Sequence, residues 1–231
     1  MQLSDFSPAP NQGGNPELYE TENRAVDPGG LVLDALAKIA PWQGRTLVDL
    51  GCGSGYWLGS YADAAEVIGV EPDPTLVPRA AARSASARVL HGSAEHVPLP
   101  DASVDVVHAR FAYFWPPRCE RGLREVLRVL RPGGTLVVID NDWRNGEFAA
   151  LLRACAGSAA MGGGDRTDAW WSERGAERTE VLSSWAFDSR ADLEAVLRME
   201  FPDGTADAWL EQHPEATGLS YGFVLFSVRR G

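Results

Sequence analysis

The stretch that decides the fold is Leu47-Val48-Asp49-Leu50-Gly51-Cys52-Gly53-Ser54-Gly55-Tyr56. An apolar run that holds an acid and passes into three alternate glycines predicts a buried strand followed by a tight turn. Glycine has no Cβ, so it accepts a positive φ and allows a ligand to lie against the main chain. We expect residues 56–62 to form the first helix, with the free N–H groups of its first turn near the glycines.

A second apolar strand, Val67 to Glu71, follows about twenty residues after Gly51. In nucleotide-binding α/β folds, an acid at the end of this strand accepts hydrogen bonds from ribose hydroxyls. Glu71 is the candidate, and the alternative is a solvated acid at a strand end. A dinucleotide-binding turn carries its third glycine one residue later, where Tyr56 stands, so the spacing disfavours an NAD site.

Apolar strands are also predicted at residues 87–91, 104–109 and 135–140, with a helical stripe of leucine and valine from Leu123 to Leu130. Continuous apolar strands separated by helices indicate a parallel sheet that is covered on both faces. Right-handed crossovers then place the loops after the strands at one edge, where ligands bind. Asp27-Pro28 predicts the start of a helix, and strands at 181–187 and 219–228 flank a helix at 189–199.

Composition narrows the class of protein. The 231 residues fit one large α/β domain, and a net charge of −11 argues against a nucleic-acid partner, which would need clustered cations. The three cysteines form no metal-binding pattern, and no segment has the length of a membrane span or the features of a signal peptide. We therefore expect a cytoplasmic protein with no metal and no membrane partner. We divide it into a flexible leader or lid, residues 1–26, and a single domain, residues 27–231, with a variable substrate-side segment around 141–180.

Between about residues 30 and 145 the chain resembles the class I S-adenosylmethionine-dependent methyltransferases. The matching motifs are residues 48–55, 69–73, 92–101, 104–107 and 125–134. The resemblance implies a three-layer, Rossmann-like α/β fold with a mostly parallel seven-stranded sheet and a C-terminal antiparallel strand pair. It also implies S-adenosyl-L-methionine as cofactor and S-adenosyl-L-homocysteine as product.

The resemblance further implies which residues hold the cofactor. The first glycine motif should surround the methionine portion, Glu71 should hold the ribose, and Ser93 should border the adenine where related enzymes often have an acid. The end of the fourth strand should pass under the sulfonium. The implied cofactor-binding residues are Asp49, Gly51, Cys52, Gly53, Gly55, Glu71, Pro72, Ser93, Ala94, Glu95, Ala109 and Arg110.

The acceptor side is less defined by the sequence. Methyl transfer is an in-line displacement in which a protein mainly supplies proximity, alignment and exclusion of water, so we assign no catalytic residue. His108 is either a base or a strand-end histidine that points away from the pocket. Aromatic residues after the fourth strand form either a wall for a flat acceptor or ordinary packing, and Tyr19 either covers the site or is exposed. The acceptor-side candidates are Tyr19, Tyr113, Trp115, Asp142 and Trp143.

These expectations favour S-adenosylmethionine-dependent methyl transfer to nitrogen, oxygen or carbon of a small molecule, by a monomer or homodimer. One alternative is a non-catalytic cofactor-binding module, because Tyr113-Phe114-Trp115 stands where many relatives have a histidine. The other alternative is an NAD-linked oxidoreductase, which the glycine spacing disfavours.

Overall fold

A single seven-stranded sheet organises the computed structural model, which describes residues 15–156 and 163–231. The strands are β1 Thr46–Leu50, β2 Glu66–Glu71, β3 Ala87–His91, β4 Val104–Arg110, β5 Leu130–Asn141, β6 Glu177–Ala186 and β7 Gly218–Arg229. Their order is β3-β2-β1-β4-β5-β7-β6, in which neighbours among the first five are parallel. Strand β7 runs antiparallel to both β5 and β6. The predicted fold class is therefore confirmed.

Helices cover both faces of the sheet. They are α1 Pro16–Ala25, α2 Leu31–Ile39, α3 Val77–Arg83, α4 Glu120–Val129, α5 Glu147–Ala156, α6 Gly163–Ser172, α7 Arg190–Glu200 and α8 Thr205–Gln212. Alternate residues of each strand point to opposite faces. Leu47 therefore packs in one apolar layer with α2, α5, α7 and α8, while Val48 packs in the other with α4 and α6. The result is the three-layer arrangement that continuous apolar strands predict.

The segment after the glycine turn differs from the prediction. Residues 56–62 do not form an α-helix, and only a short 3-10 helix, Leu58–Tyr61, is present there. The N–H groups of Leu58 and Ser60 donate to carbonyls three residues earlier, at 3.2 and 2.9 Å, which gives the tighter turn. Tyr61 is fully buried and anchors this turn against the sheet. The expected helix N-terminus beside the glycines is thus absent.

Two helix starts also differ from the prediction. Helix α2 begins at Leu31, three residues after Pro28, although the Asp27 carboxylate still accepts the N–H groups of Leu31 and Val32 at 3.0 and 2.9 Å. Helix α1 lies within the part of the chain expected to be a flexible leader, and it packs near α7. The first fourteen residues and residues 157–162, inside the expected variable segment, lie outside the described ranges. The domain division at residue 26 stays a prediction.

No helix of the described ranges is both long enough and apolar enough to cross a membrane.

We predict that Gly55→Ala destabilises the fold more than Gly133→Ala does. Both glycines have a positive φ, of 78° and 77°, which costs an L-residue about 1–2 kcal/mol. A Cβ on Gly55 would also lie 2.8 Å from the Cα of Ala80, whereas a Cβ on Gly133 would meet nothing within 4 Å. We expect urea unfolding to show about 1–3 kcal/mol of additional loss for Gly55→Ala. Equal losses for the two variants would contradict the close approach of α3 to the turn.

Candidate functional site

Polar residues from four neighbouring strands meet at one edge of the sheet. The order β3-β2-β1-β4 places the carboxyl ends of these parallel strands side by side. We name the set of one residue from each strand or its following loop the polar row. Its members, in sheet order, are Ser93, Glu71, Asp49 and Arg110. The edge is the one at which parallel α/β sheets bind ligands, and all four residues were predicted from the sequence.

Glu71 fixes the glycine turn to the end of β2. One of its carboxylate oxygens accepts the N–H of Gly53 at 2.8 Å, and the other accepts the N–H of Asp73 at 2.9 Å. The side chain is buried, and burial raises its pKa to about 7 although the two hydrogen bonds act in the opposite direction. The carboxylate is therefore held in one orientation by backbone on either side of it.

Protein atoms account for two of the three glycines in the turn. A Cβ on Gly51 would lie 2.6 Å from the Cβ of Ala112, and Gly55 approaches α3 as closely. The glycine pattern predicts a main chain left bare for a ligand, whereas in the structure Ala112 lies against Gly51. Cys52, which follows Gly51 in the turn, packs its thiol on Gly69. Burial raises the pKa of the Cys52 thiol.

Three members of the polar row carry groups without a hydrogen-bond partner among the described residues. Ser93 Oγ and Arg110 Nε are buried and unpaired, and the Asp49 carboxylate accepts no hydrogen bond within the same ranges. Burial raises the pKa of Asp49 to about 6, and the Arg110 charge opposes that rise. Buried polar groups are nearly always paired in folded proteins, and a polar ligand at this edge of the sheet would supply partners for these groups.

A cavity of about 430 Å³ opens between α1, the glycine turn and α3. It is within the size range of small-molecule sites. Its lining residues are Pro16, Tyr19, Glu20, Ser54, Leu76, Arg79, Ala82 and Arg83. Burial raises the pKa of Tyr19, and the Arg110 charge opposes this rise. Tyr19 lies on the cavity wall, and the polar row lies outside the residues that line this cavity.

An ionic contact connects α1 to the turn beneath it. The Glu20 carboxylate accepts both Nη atoms of Arg83, at 2.9 and 2.6 Å, and the Ser54 hydroxyl at 2.7 Å. Arg83 also donates to Ser54 Oγ at 2.9 Å. We call these three residues the α1 latch. The sequence gives no signal for this contact, because its members lie on three separate elements and none belongs to a recognisable motif.

The segment after β4 is held in an uncommon backbone conformation. Phe111 and Tyr113 have positive φ values of 46° and 62°, which bulky residues rarely adopt. The Tyr113 hydroxyl donates to Glu95 at 2.8 Å and accepts the N–H of Gly122 at 3.2 Å. Tyr113 therefore ties this segment to the predicted adenine border, while Trp115 is 58% exposed.

The remaining predicted cofactor residues lie close to the polar row. Pro72 follows Glu71, and its carbonyl oxygen lies 3.1 Å from Nε2 of His91. Ala94 and Ala109 are buried in the apolar layer that holds α4 and α6. Ala94 and Ala109 therefore contribute to the packing beside the polar row.

Asp142 and Trp143 lie elsewhere. Both line a small recess beside β6 and α6, away from the lining of the large cavity. Asp142 is 1% exposed, accepts the N–H of Arg144 at 3.0 Å and pairs with Arg178 at 3.3 Å. Its carboxylate is thus engaged by protein groups, and the structure does not bring it to Tyr19.

His108 lies beneath the site in an aromatic environment. It is fully buried between Trp42 and Tyr61, with ring centroids 5.7 and 5.4 Å apart. Burial and the Arg110 charge lower its pKa to about 3, so the ring is neutral. The sequence allowed His108 to be either a base or a strand-end histidine that points away from the pocket. The structure supports the second alternative. Within residues 15–156 and 163–231, no cluster of three or more potential ligands could hold a metal ion.

A second group of acids lies between α1 and α7. The Oε2 atom of Glu22 is buried and has no hydrogen-bond partner in the described part of the chain. Burial and the charge of Glu200 raise the pKa of Glu22. Burial likewise raises the pKa of Asp140, at the end of β5, to about 6.

Known proteins that resemble this chain are methyltransferases by their names. A family model described as a methyltransferase domain matches residues 48–138. A protein of Mycolicibacterium smegmatis named a probable S-adenosylmethionine-dependent methyltransferase is 40% identical over 98 residues, which are 41% of this chain and 37% of that protein. The malonyl-[acyl-carrier protein] O-methyltransferase of Serratia marcescens is 34% identical over 95 residues, again 41% and 37%. The chain thus spans well under half the length of these two relatives.

A solved structure extends the likeness in fold to most of the chain. The SAM-dependent methyltransferase of Aquifex aeolicus superposes with a TM-score of 0.56 at 16% identity, and covers 93% of this chain and 99% of that one. Residues 48–138 therefore match a methyltransferase domain, and the chain has the fold of solved S-adenosylmethionine-dependent methyltransferases.

We predict that Glu22→Gln flattens the loss of stability at high pH. In the unfolded chain the Glu22 carboxyl has an ordinary pKa of about 4.3. Because its folded pKa is higher, the folded protein keeps a proton that the unfolded chain releases, and that stabilisation is lost as pH rises. Urea unfolding should show the variant more stable than the wild type by at least about 1 kcal/mol at roughly pH 8. Glu17→Gln, exposed on the same helix, should follow the wild-type curve, and parallel curves for all three proteins would refute the assignment.

We predict that Glu20→Gln loosens α1. The variant keeps the shape of the side chain but loses the charge that Arg83 binds. Since both partners are partly exposed, at 24% and 38%, the contact is worth about 1 kcal/mol or less. Hydrogen exchange of the α1 amides should accelerate about 2- to 5-fold, with no such change in Glu17→Gln. High salt should bring the wild type towards the variant, and unchanged exchange rates would show that the α1 latch does not hold the helix.

Proposed function

We propose that the chain catalyses S-adenosylmethionine-dependent methyl transfer to nitrogen, oxygen or carbon of a small-molecule acceptor. The observation that carries the proposal is the polar row, whose unpaired groups lie at the ligand-binding edge of a methyltransferase-family sheet. When bound, the cofactor supplies an activated methyl group on a good leaving group. The residues of the chain then have to bind, orient and exclude water.

The polar row supports specific binding roles. Glu71 has lone pairs left after its two backbone hydrogen bonds, and these suit the two hydroxyls of a ribose. Ser93 Oγ is a free donor and acceptor where adenine would lie. Asp49 supplies a negative charge one strand further along. Tyr19 and the α1 latch provide the cover that would exclude water from the reacting groups.

We assign no general base to this site. His108 is buried and neutral, and Asp142 is engaged by Arg178. An acceptor must therefore arrive with a nucleophilic atom already available, or lose its proton to solvent as the methyl group transfers. This requirement favours neutral amines and anionic oxygens, and the O-methyltransferase name of the Serratia relative makes oxygen acceptors the first to try.

The surroundings of the site support a small acceptor. The cavity of about 430 Å³ suits a metabolite, and the acidic chain, with a net charge of −11, disfavours nucleic acid. We propose that the protein acts in the cytoplasm as a monomer or homodimer, a setting compatible with its three free cysteines.

Calorimetric titration with S-adenosylmethionine and S-adenosylhomocysteine tests the proposal. We expect both to bind, and we expect Glu71→Ala to weaken binding by about 1–3 kcal/mol, since a charge-assisted hydrogen-bond acceptor is lost. Glu66→Ala is the matched control, because Glu66 begins the same strand but is exposed and pairs with Arg88. An unchanged affinity in Glu71→Ala would remove the ribose role.

Transfer of a labelled methyl group to a panel of small amines, carboxylates and phenols then separates the three functions. Transfer to any of them supports the enzyme. Tight binding without transfer across the panel would instead support a non-catalytic cofactor-binding module. Absence of binding by both cofactor forms, together with a fluorescence change of added NADH, would support the oxidoreductase.

A further inference from the structure

An excess of positive charge follows the fourth strand in an otherwise acidic chain. Residues 115–131 hold five arginines and two glutamates, whereas the whole chain carries a net charge of −11. Three of these arginines, at positions 118, 121 and 124, are exposed. Trp115, three residues before the first of them, is 58% exposed. We call Trp115, Arg118, Arg121 and Arg124 the arginine surface.

The acids nearest to this surface in the sequence are engaged by other arginines. Glu120 pairs with Arg174, and Glu125 pairs with the arginine three residues after it. Arg118 and Arg124 form no ion pair and no side-chain hydrogen bond within residues 15–156 and 163–231. These two guanidinium groups therefore lack a counter-ion in the part of the chain that the structure describes.

Polar contacts hold the arginine surface against the segment after β4. Glu95 pairs with Arg121 at 3.2 Å and accepts the Tyr113 hydroxyl at 2.8 Å. The same hydroxyl accepts the N–H of Gly122 at 3.2 Å, and the Tyr113 ring leaves no room for a Cβ at Gly122. Because Trp115 follows Tyr113 by two residues, its Cα is within about 7 Å of the Tyr113 Cα. The exposed tryptophan and the first turn of α4 therefore belong to one continuous surface.

The composition of this surface favours a protein partner. Tryptophan and arginine are the residue types that most often carry the binding energy of protein interfaces. Nucleic acid is less suited, since it needs a longer array of cations than this surface offers on an acidic chain. A membrane is also less suited, because Leu123 and Val126 of α4 are buried in the core and cannot enter a bilayer. An acidic protein segment would match the guanidinium groups with carboxylates and the Trp115 ring with an apolar side chain.

We propose that the arginine surface docks an acidic segment of a protein partner. The proposal goes beyond the proposed function and does not depend on which acceptor is methylated. The unpaired charges of Arg118 and Arg124 supply the electrostatic attraction, and Trp115 supplies the apolar contact. A docked partner lies beside the ligand-binding edge of the sheet, because Glu95 and Tyr113 connect the arginine surface to the loops after β3 and β4.

Fluorescence anisotropy with two labelled peptides tests the proposal. One is an amphipathic helical peptide with glutamates on one face and leucines on the other, and the second has glutamine in place of every glutamate. We expect the wild type to bind the glutamate peptide at least about 10-fold more tightly at low ionic strength, a preference that salt should reduce. Arg118→Gln/Arg124→Gln should weaken this binding about 10-fold, and Trp115→Ala should weaken it about 5- to 30-fold.

A second double variant controls for the change in net charge. Arg45→Gln/Arg229→Gln removes the same charge from two exposed arginines. Arg45 precedes β1, and Arg229 ends the antiparallel strand β7, so both lie at the opposite edge of the sheet. Because salt screens charges over that distance, the control should keep its affinity for the glutamate peptide within about 2-fold. Arg118→Gln/Arg124→Gln should bind S-adenosylhomocysteine as the wild type does, which separates partner docking from the cofactor site.

Four results would overturn the proposal and leave the proposed function standing. They are equal binding of the two peptides, equal affinities of the two double variants for the glutamate peptide, tighter binding of labelled single-stranded DNA, and tighter binding of vesicles made from phosphatidylserine and phosphatidylcholine. Should Arg118→Gln/Arg124→Gln fail to fold, the preference of the wild type for the glutamate peptide and its loss in Trp115→Ala decide the outcome.

Discussion

The hydrogen bonds of one buried carboxylate fix the geometry on which the site depends. Glu71 accepts one N–H from the glycine turn and one from the loop after β2, so it holds the ends of two adjacent strands together. The position of the turn sets the position of Ser54, and hence the contact that brings α1 over the cavity. Because the same carboxylate is the candidate ribose ligand, its internal role orients it before any ligand arrives, which lowers the entropic cost of binding.

The turn is also confined from two sides by small residues. Ala112, in the segment after β4, lies against Gly51, and Ala80 of α3 lies against Gly55. Tyr113 secures the first of these contacts through Glu95. The conformation at one strand end is thereby coupled to the loops after β3 and β4, so that the four strand ends form one packed unit.

The sequence predicted those structural features that depend on a few consecutive residues. Apolar runs such as Thr46–Leu50 and the acid at the end of β2 were identified because strand period and strand-end chemistry are written within a few residues. The 3-10 helix at Leu58–Tyr61 was not predicted. Tyr61 packs against the rings of Trp42 and His108, which are distant in the sequence. The α1 latch joins residues 29 to 63 positions apart, and no spacing rule connects them.

Electrostatics links the stability of the fold to the charge of the ligand that the site would bind. Burial raises the pKa values of Asp49 and Glu71 to about 6 and 7, so that ionising these acids in the folded state costs stability as pH rises. A cationic sulfonium and an α-ammonium would stabilise the same ionised carboxylates. They would offset the stability that ionisation of these buried acids costs. Ligand binding should therefore strengthen as these acids lose their protons, while the unliganded fold weakens over the same range. The acids whose burial opposes their ionisation are therefore the ones that would favour a positively charged ligand.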